Sequence, residues 1–193
     1  MSKSRNQLRI IGGEWRGRKL SFPAVQGLRP TPDRVRETLF NWLAPILPGA
    51  RCLDLFAGSG ALGLEALSRG AARVVLVDNQ PEVIRQLKEN LGLLHADSAE
   101  VIRSEALMYL DGPAIPFDVI FLDPPYQTEW LPRCIEKLEQ GDWLAPHAWI
   151  YLEAPTKVSL PDLPENWRVT RSKKAGEVGY HLLERMASEG QSR

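Results

Sequence analysis

The sequence predicts an α/β fold: a mostly parallel sheet flanked by helices, with a C-terminal antiparallel hairpin and an N-terminal β-hairpin extension. Three observations carry this reading. From residue 51 onward, short β-rich apolar runs alternate with stretches of helical periodicity, the pattern of strands joined by helices. Two further segments, 166–173 and 178–185, are joined by a loop containing Gly176 and read as the strands of a hairpin closing the sheet edge. Ahead of the sheet, Leu8, Ile10, Ile11, Trp15, Leu20 and Phe22 are interleaved with basic residues around Gly12-Gly13, so the charged N-terminal segment has apolar surface to bury.

Taken in order, strands are expected near 51–55, 73–78, 98–103, 117–122 and 147–152, with helices at 60–69, 81–91, 104–111 and 128–140. Pro81 opens the second of these helices. Val83, Ile84, Leu87 and Leu91 follow helical spacing along it, while Glu82, Arg85, Lys88 and Glu89 take the other face. An earlier helix over 32–47 turns Val35, Leu39, Trp42, Leu43 and Ile46 inward. The stretch from Pro155 to Pro164 is a loop rather than a domain linker, because too little chain follows it to fold alone. At 193 residues and 44% hydrophobic, the chain closes one core with at most a small appendage. The expected division is a basic arm and hairpin over 1–28, then one domain over 29–193.

Composition narrows the function classes. The apolar runs Val74 to Val77 and Val119 to Leu122 fall far short of the roughly 20 residues of a membrane-spanning helix. Met1 to Gln7 is polar and basic with no apolar stretch behind it, which points to the cytoplasm rather than secretion. Cys52 and Cys134 sit in apolar surroundings, and no Cys-x-x-Cys or Cys/His cluster offers a metal or redox site. Both read as buried thiols. The formal net charge of zero hides an asymmetry: residues 1–36 carry nine Lys/Arg against Glu14 and Asp33, a net +7 that the rest of the chain balances. A basic arm on an acidic body is the footprint of a polyanion binder, with a solvated tail as the other reading.

The first parallel strand, Arg51-Cys52-Leu53-Asp54-Leu55, runs into Phe56-Ala57-Gly58-Ser59-Gly60-Ala61-Leu62-Gly63, which opens a helix. Gly58, Gly60 and Gly63 satisfy G-x-G-x-x-G, whose glycines let the backbone turn sharply and approach a ligand closely. About twenty residues on, the next strand ends in Asp78, with Asn79 beside it, where a ribose diol would lie. Nicotinamide dinucleotides and S-adenosylmethionine both carry that ribose, so Asp78 does not separate them. Asp54 does: an acid beside the loop repels a pyrophosphate and attracts the methionine ammonium. The same residues also fit a tight strand-to-helix turn capped by Asp54, with Asp78 as a helix N-cap. The third strand ends at Ser104-Glu105-Ala106 on the same side of the sheet, so Glu105 is placed either to accept the adenine amino group or to sit as a solvated acid at a helix start.

The fourth strand, Phe117 to Leu122, ends in Asp123-Pro124-Pro125-Tyr126, the most specific signal in the chain. Two prolines stop the strand and stiffen the turn, so that the Asp123 carboxylate and the Pro124 carbonyl become neighbouring acceptors. An exocyclic base amine is a poor nucleophile because its lone pair is delocalised into the ring. Two acceptors gripping its N–H groups favour a tetrahedral nitrogen aimed at a sulfonium methyl, with Tyr126 stacking on the base. Such a displacement needs no metal. A capped proline turn is the structural alternative.

At these residues the chain resembles the Rossmann-like class I methyltransferases: Asp54 to Gly60 match their donor-binding loop, and Asp123 to Tyr126 match the Asp/Asn/Ser-Pro-Pro-aromatic motif of amino-methylating members. From about residue 8 to 185 it more closely resembles the RsmD family of bacterial 16S rRNA guanine-N2 methyltransferases. The matching stretches are Arg9 to Gly13, Arg16 to Leu20, Arg29-Pro30-Thr31-Pro32-Asp33-Arg34-Val35-Arg36-Glu37-Thr38-Leu39-Phe40, and the two motifs above. Glu105 departs from it, standing where many relatives have Asp.

The resemblance implies a seven-stranded mixed sheet and S-adenosylmethionine as donor, held around Asp54, Phe56, Ala57, Gly58, Gly60, Asp78, Asn79 and Glu105. It implies guanine N2 of 16S rRNA, free or in the assembling small subunit, as acceptor at Asp123, Pro124 and Tyr126. An unpaired or flipped-out base suits stacking on Tyr126, and RNA phosphates suit Arg9, Arg16, Arg18 and Lys19. Thr31 and Arg34 border the donor or base pocket, or else cap a helix and face solvent. Neither a metal nor a membrane partner is expected; the sequence fixes no oligomeric state, and a monomer is the favoured expectation.

Three rivals use the same residues. A DNA adenine-N6 or cytosine-N4 methyltransferase shares the chemistry, but so short a chain shows no target-recognition domain. An NAD-dependent oxidoreductase would use Gly58, Gly60 and Gly63, yet His95, His147 and His181 sit at no catalytic motif. A non-catalytic RNA-binding assembly factor would retain the fold without turnover.

Overall fold

The computed structural model describes residues 6–125 and 129–187. Its elements run β1 (Asn6–Arg9), β2 (Lys19–Phe22), α1 (Asp33–Leu43), β3 (Arg51–Asp54), α2 (Ala61–Ser68), β4 (Arg73–Asp78), α3 (Pro81–Leu94), β5 (Ala99–Arg103), α4 (Ala106–Leu110), β6 (Phe117–Leu122), α5 (Trp130–Gln140), β7 (Leu144–Pro155), β8 (Trp167–Ala175) and β9 (Val178–Arg185). Seven strands form one sheet in the order β5-β4-β3-β6-β7-β9-β8. β5 to β7 are parallel, and β9 and β8 add antiparallel at one edge. This is the expected seven-stranded, mostly parallel α/β sheet with its C-terminal hairpin, and β1 and β2 pair as the separate N-terminal hairpin.

Side chains of the central strands alternate between two packed layers. Cys52, Val74, Leu76, Val119 and Phe121 face α1, α2 and α3, whereas Leu53, Val75, Val77, Ile120 and Leu122 face α4 and α5. Burial on both faces explains why these strands read as continuous apolar runs. Cys52 and Cys134 are free and buried in the two layers.

The N-terminal hairpin has a packing reason. All eight residues of α2 are buried, so a cover is needed on its outer side, and the hairpin supplies it. Glu65 of α2, fully buried, accepts hydrogen bonds from the backbone N–H of Ile11 (2.9 Å) and Gly12 (2.8 Å) and pairs with Arg36 (3.3 Å) and Arg69 (2.8 Å). These partners offset the desolvation of its charge. A Cβ on Gly13 would lie 1.9 Å from the Ser68 carbonyl oxygen, so only glycine lets the hairpin tip reach the end of α2. The tip thus docks at the C-terminal ends of α2 and α3: Glu14 donates its N–H to the Ser68 carbonyl, and Arg18 donates to that of Leu93.

Some boundaries differ from expectation. β7 runs to Pro155 rather than 152, because β9 pairs with it from Ala148 to Pro155. α1 ends at Leu43 rather than 47: Pro45 has no N–H to continue the ladder, and the chain turns through Leu47 to Gly49. α3 continues to Leu94 and stops where His95 adopts φ +51°. Among the described residues no helix is long and apolar enough to cross a membrane, and no group of three or more His, Cys, Asp or Glu is placed to hold a metal.

Candidate active site

The strand order reverses between β3, which continues to β4 on one side, and β6 on the other, and ligands of open α/β sheets bind at the C-terminal ends of strands at such a point. A cleft of about 730 Å³ opens there, within the range of small-molecule sites. Five carboxylates line it: Asp54, Asp78, Glu105, Asp123 and Glu153. The first four come from consecutive parallel strand ends or the residues just beyond, and Glu153 from the end of β7.

Asp54 ends β3 with 1% exposure. One carboxylate oxygen accepts the Gly63 N–H at 3.0 Å; the other is the single buried side-chain polar atom without a partner among the described residues. Burial raises the Asp54 pKa to about 7, with Asp78 adding to the rise and the backbone N–H groups of Gly63 and Phe56 opposing it. A buried, unpaired carboxylate oxygen at a cleft calls for a cationic donor. Gly63 itself does not line the cleft; a Cβ there would lie 2.3 Å from Leu76, so this glycine serves helix-to-sheet packing.

The glycine loop crosses above Asp54. Phe56, Ala57, Gly58 and Ser59 line the cleft, and Gly58 (φ +52°) donates its N–H to Asp78 at 3.0 Å. Gly60, expected to line the site, instead turns the chain into α2 at φ +81°, where a Cβ would meet Leu87 at 2.6 Å. Asp78 receives a second backbone N–H, from Gln80 at 2.9 Å, which fixes its carboxylate toward the loop. Asn79 donates to Glu105 at 2.8 Å, and both line the cleft. Thr31 also lines it and makes no capping bond to α1. The 28/29 boundary expected between arm and domain falls inside the segment Val25 to Pro32, which forms one wall.

Asp123 and Pro124 lie on the far side of the same cleft and also border a second, apolar pocket of about 210 Å³, walled by Pro125, Leu131, Pro132, Ala154 and Val158. Burial pushes the Asp123 carboxyl well above its ordinary range, and the Glu153 carboxylate beside it, which shares a hydrogen bond with it, pushes further; Asp54 adds a smaller push. Glu153 is in turn held by the buried Tyr151 hydroxyl, which donates to it at 2.6 Å. Sequence reasoning missed Glu153. Its signal was nonetheless present: Leu152-Glu153-Ala154-Pro155 is an acid at the end of a parallel strand, as in Leu53-Asp54 and Leu122-Asp123, and ending that strand at 152 hid it.

Tyr126 lies outside the described residues. Of the residues expected to meet nucleic acid, none lines the cleft: Arg9 pairs with Asp33 (3.5 Å), Arg34 is exposed at the start of α1, and Arg16, Arg18 and Lys19 stand at the hairpin tip, at the other end of α2 and α3.

An acidic, glycine-cradled cleft fits a cationic donor and disfavours a pyrophosphate. Fold and site together define a class I methyltransferase, a protein that takes its methyl group from S-adenosylmethionine. Residues 8–184 match the model of the family described as Conserved hypothetical protein 95, and the chain belongs to that family. Ribosomal RNA small subunit methyltransferase D of Escherichia coli (strain K12) is 52% identical over 96% of this chain and 93% of its own length, and its namesake in Haemophilus influenzae is 46% identical over 94% and 95%. A solved Escherichia coli structure aligns with a TM-score of 0.89 at 49% identity, covering 95% of this chain and all of that one. These curated relatives are named for ribosomal RNA, and neither for DNA or for a nicotinamide cofactor.

Proposed function

We propose that the protein methylates the exocyclic N2 of a guanine in small-subunit ribosomal RNA, in the cytoplasm, on rRNA or an assembling particle. The observation that carries this reading is that Asp54 and Asp123 open onto one cleft, with Pro124 beside the second. Bound S-adenosylmethionine supplies an electrophilic methyl group on a sulfonium sulfur. Asp54 holds the ammonium of its methionine part, Asp78 the ribose hydroxyls, and Glu105 with Asn79 the adenine edge.

Asp123 and the Pro124 carbonyl accept the two N–H groups of the guanine amine and fix its lone pair toward the methyl group. The 210 Å³ pocket takes the splayed-out base against proline walls, with Tyr126 stacking on it. Methylation leaves one proton too many on the nitrogen. Asp123 is the nearest acceptor, and Glu153, anchored by Tyr151, shares that proton.

The test is nucleoside mass spectrometry of rRNA from cells with and without the protein. Loss of one N2-methylguanine from small-subunit rRNA, restored by adding the purified protein and donor, is expected. An unchanged N2-methylguanine content, or a missing N6-methyladenine instead, would overturn the assignment.

A further inference from the structure

We infer that the free edge strand β8 is the surface on which the RNA phosphates lie, an inference that rests on the RNA reading above. β8 ends the sheet order, so its outer side meets no other strand. It carries Arg171, Lys173 and Lys174, all exposed and none in an ion pair among the described residues. The neighbouring cations are already neutralised: Arg168 pairs with Glu184 at 2.9 Å and Lys157 with Glu177 at 3.3 Å. The three unpaired charges therefore occupy the half of β8 nearer the cleft.

Register fixes their level. Lys173 is paired with Tyr180 of β9, and Tyr180 with Glu153 of β7; Ala175 and Val178, two residues further along, line the cleft. Leu122 pairs with Leu152, so Asp123 continues that row beside Glu153. Lys173 thus stands about three strand spacings, roughly 14 Å, from the residue that grips the acceptor amine. Nucleotides that flank a base held at Asp123 and leave along this row carry phosphates past cleft carboxylates that repel them. A cationic lip offsets that repulsion. Arg29, which also lines the cleft and has no ion pair among the described residues, provides a second lip.

Lysines on an edge strand also discourage strand addition from other chains. That purpose does not explain why Arg171, Lys173 and Lys174 stay unpaired on the cleft-side half of β8 while Arg168, at the far end of the strand, is paired with Glu184. The hairpin tip is placed less well for the same task, since Arg18 bonds the carbonyl of Leu93, about 20 Å along α3 from the cleft.

The experiment compares the full-length protein with two triple variants, Arg171→Ala/Lys173→Ala/Lys174→Ala and Arg16→Ala/Arg18→Ala/Lys19→Ala, after thermal melting confirms that each is folded. RNA binding is measured across salt concentrations, with kcat and KM for rRNA and calorimetry of S-adenosylhomocysteine alongside. The β8 variant is expected to lose affinity for RNA on the order of tenfold to a hundredfold and about 2–3 units of salt slope. Its kcat at saturating RNA and its affinity for S-adenosylhomocysteine should stay at the wild-type level. An unchanged salt slope in the β8 variant, or an equal or larger loss in the hairpin variant, overturns the proposal. If wild-type protein binds RNA through β8 but transfers no methyl group, the catalytic reading falls and this surface stands; if it transfers methyl groups while the β8 variant binds normally, the reverse holds.

Discussion

Asp54 makes donor binding depend on pH in a calculable way. Its carboxyl titrates at about 7 in the free protein, chiefly because it is buried. The ammonium of the donor is held only by the ionised form, so a proton competes with it. At pH 6 about one molecule in eleven has Asp54 ionised, and affinity falls about tenfold below its plateau, about 1.4 kcal/mol; at pH 5.5 the loss is about thirtyfold. Calorimetry of S-adenosylhomocysteine between pH 5.5 and 7.5 measures this while staying below the ordinary range of an α-amino group. The Asp54→Asn variant should bind more weakly at pH 7.5 and show almost no dependence. The same ionisation marks stability: the folded pKa lies above the unfolded 3.8, so the folded state retains the proton between these values. The contribution is full below about pH 4 and is lost as pH rises through 7, on the order of 4 kcal/mol relative to Asp54→Asn. A wild-type dissociation constant that is flat from pH 5.5 to 7.5 would refute the assignment of Asp54 to the ammonium.

Two further outcomes follow from Glu65 and Glu153. Replacing Glu65 with Ala leaves buried Arg36 with Asp33 as its one remaining carboxylate and two hairpin amides unsatisfied, which should cost about 2–4 kcal/mol and lower Tm by about 4–16 °C in calorimetry; a shift under about 2 °C would contradict the role of that network. In Glu153→Gln the neighbour that raises Asp123 loses its charge, so the acid limb of the kcat profile should move to lower pH, whereas a limb left in place would remove Glu153 from the proton-sharing pair.

The sheet was legible because its parallel strands are buried on both faces, which writes each as an uninterrupted apolar run such as Val74 to Val77. Asp54, Asp78 and Asp123 were legible for the same reason: an acid terminating such a run has no place in the core and stands out. Long-range placement was not. Nothing local to Arg16 or Arg18 reveals that Glu65 and Ser68 of α2 draw the hairpin tip away from the cleft, because that depends on which helix needs a cover. β8 hid its significance in the opposite way. Arg171 and Lys173 fall in a segment that reads simply as one strand of the closing hairpin, and only the register with Tyr180 and Glu153 brings them level with the site. Gly60 satisfied a ligand-loop spacing, yet its positive φ and its contact with Leu87 give it a structural task.

The account depends most on Asp123 orienting the acceptor without holding the donor. Asp123→Ala protein, assayed side by side for S-adenosylhomocysteine affinity and for single-turnover methyl transfer to small-subunit rRNA, separates the two roles. Affinity within about twofold of wild type, with transfer slowed on the order of 10²–10³-fold, is the predicted pair of results. Transfer at close to the wild-type rate would contradict the mechanism.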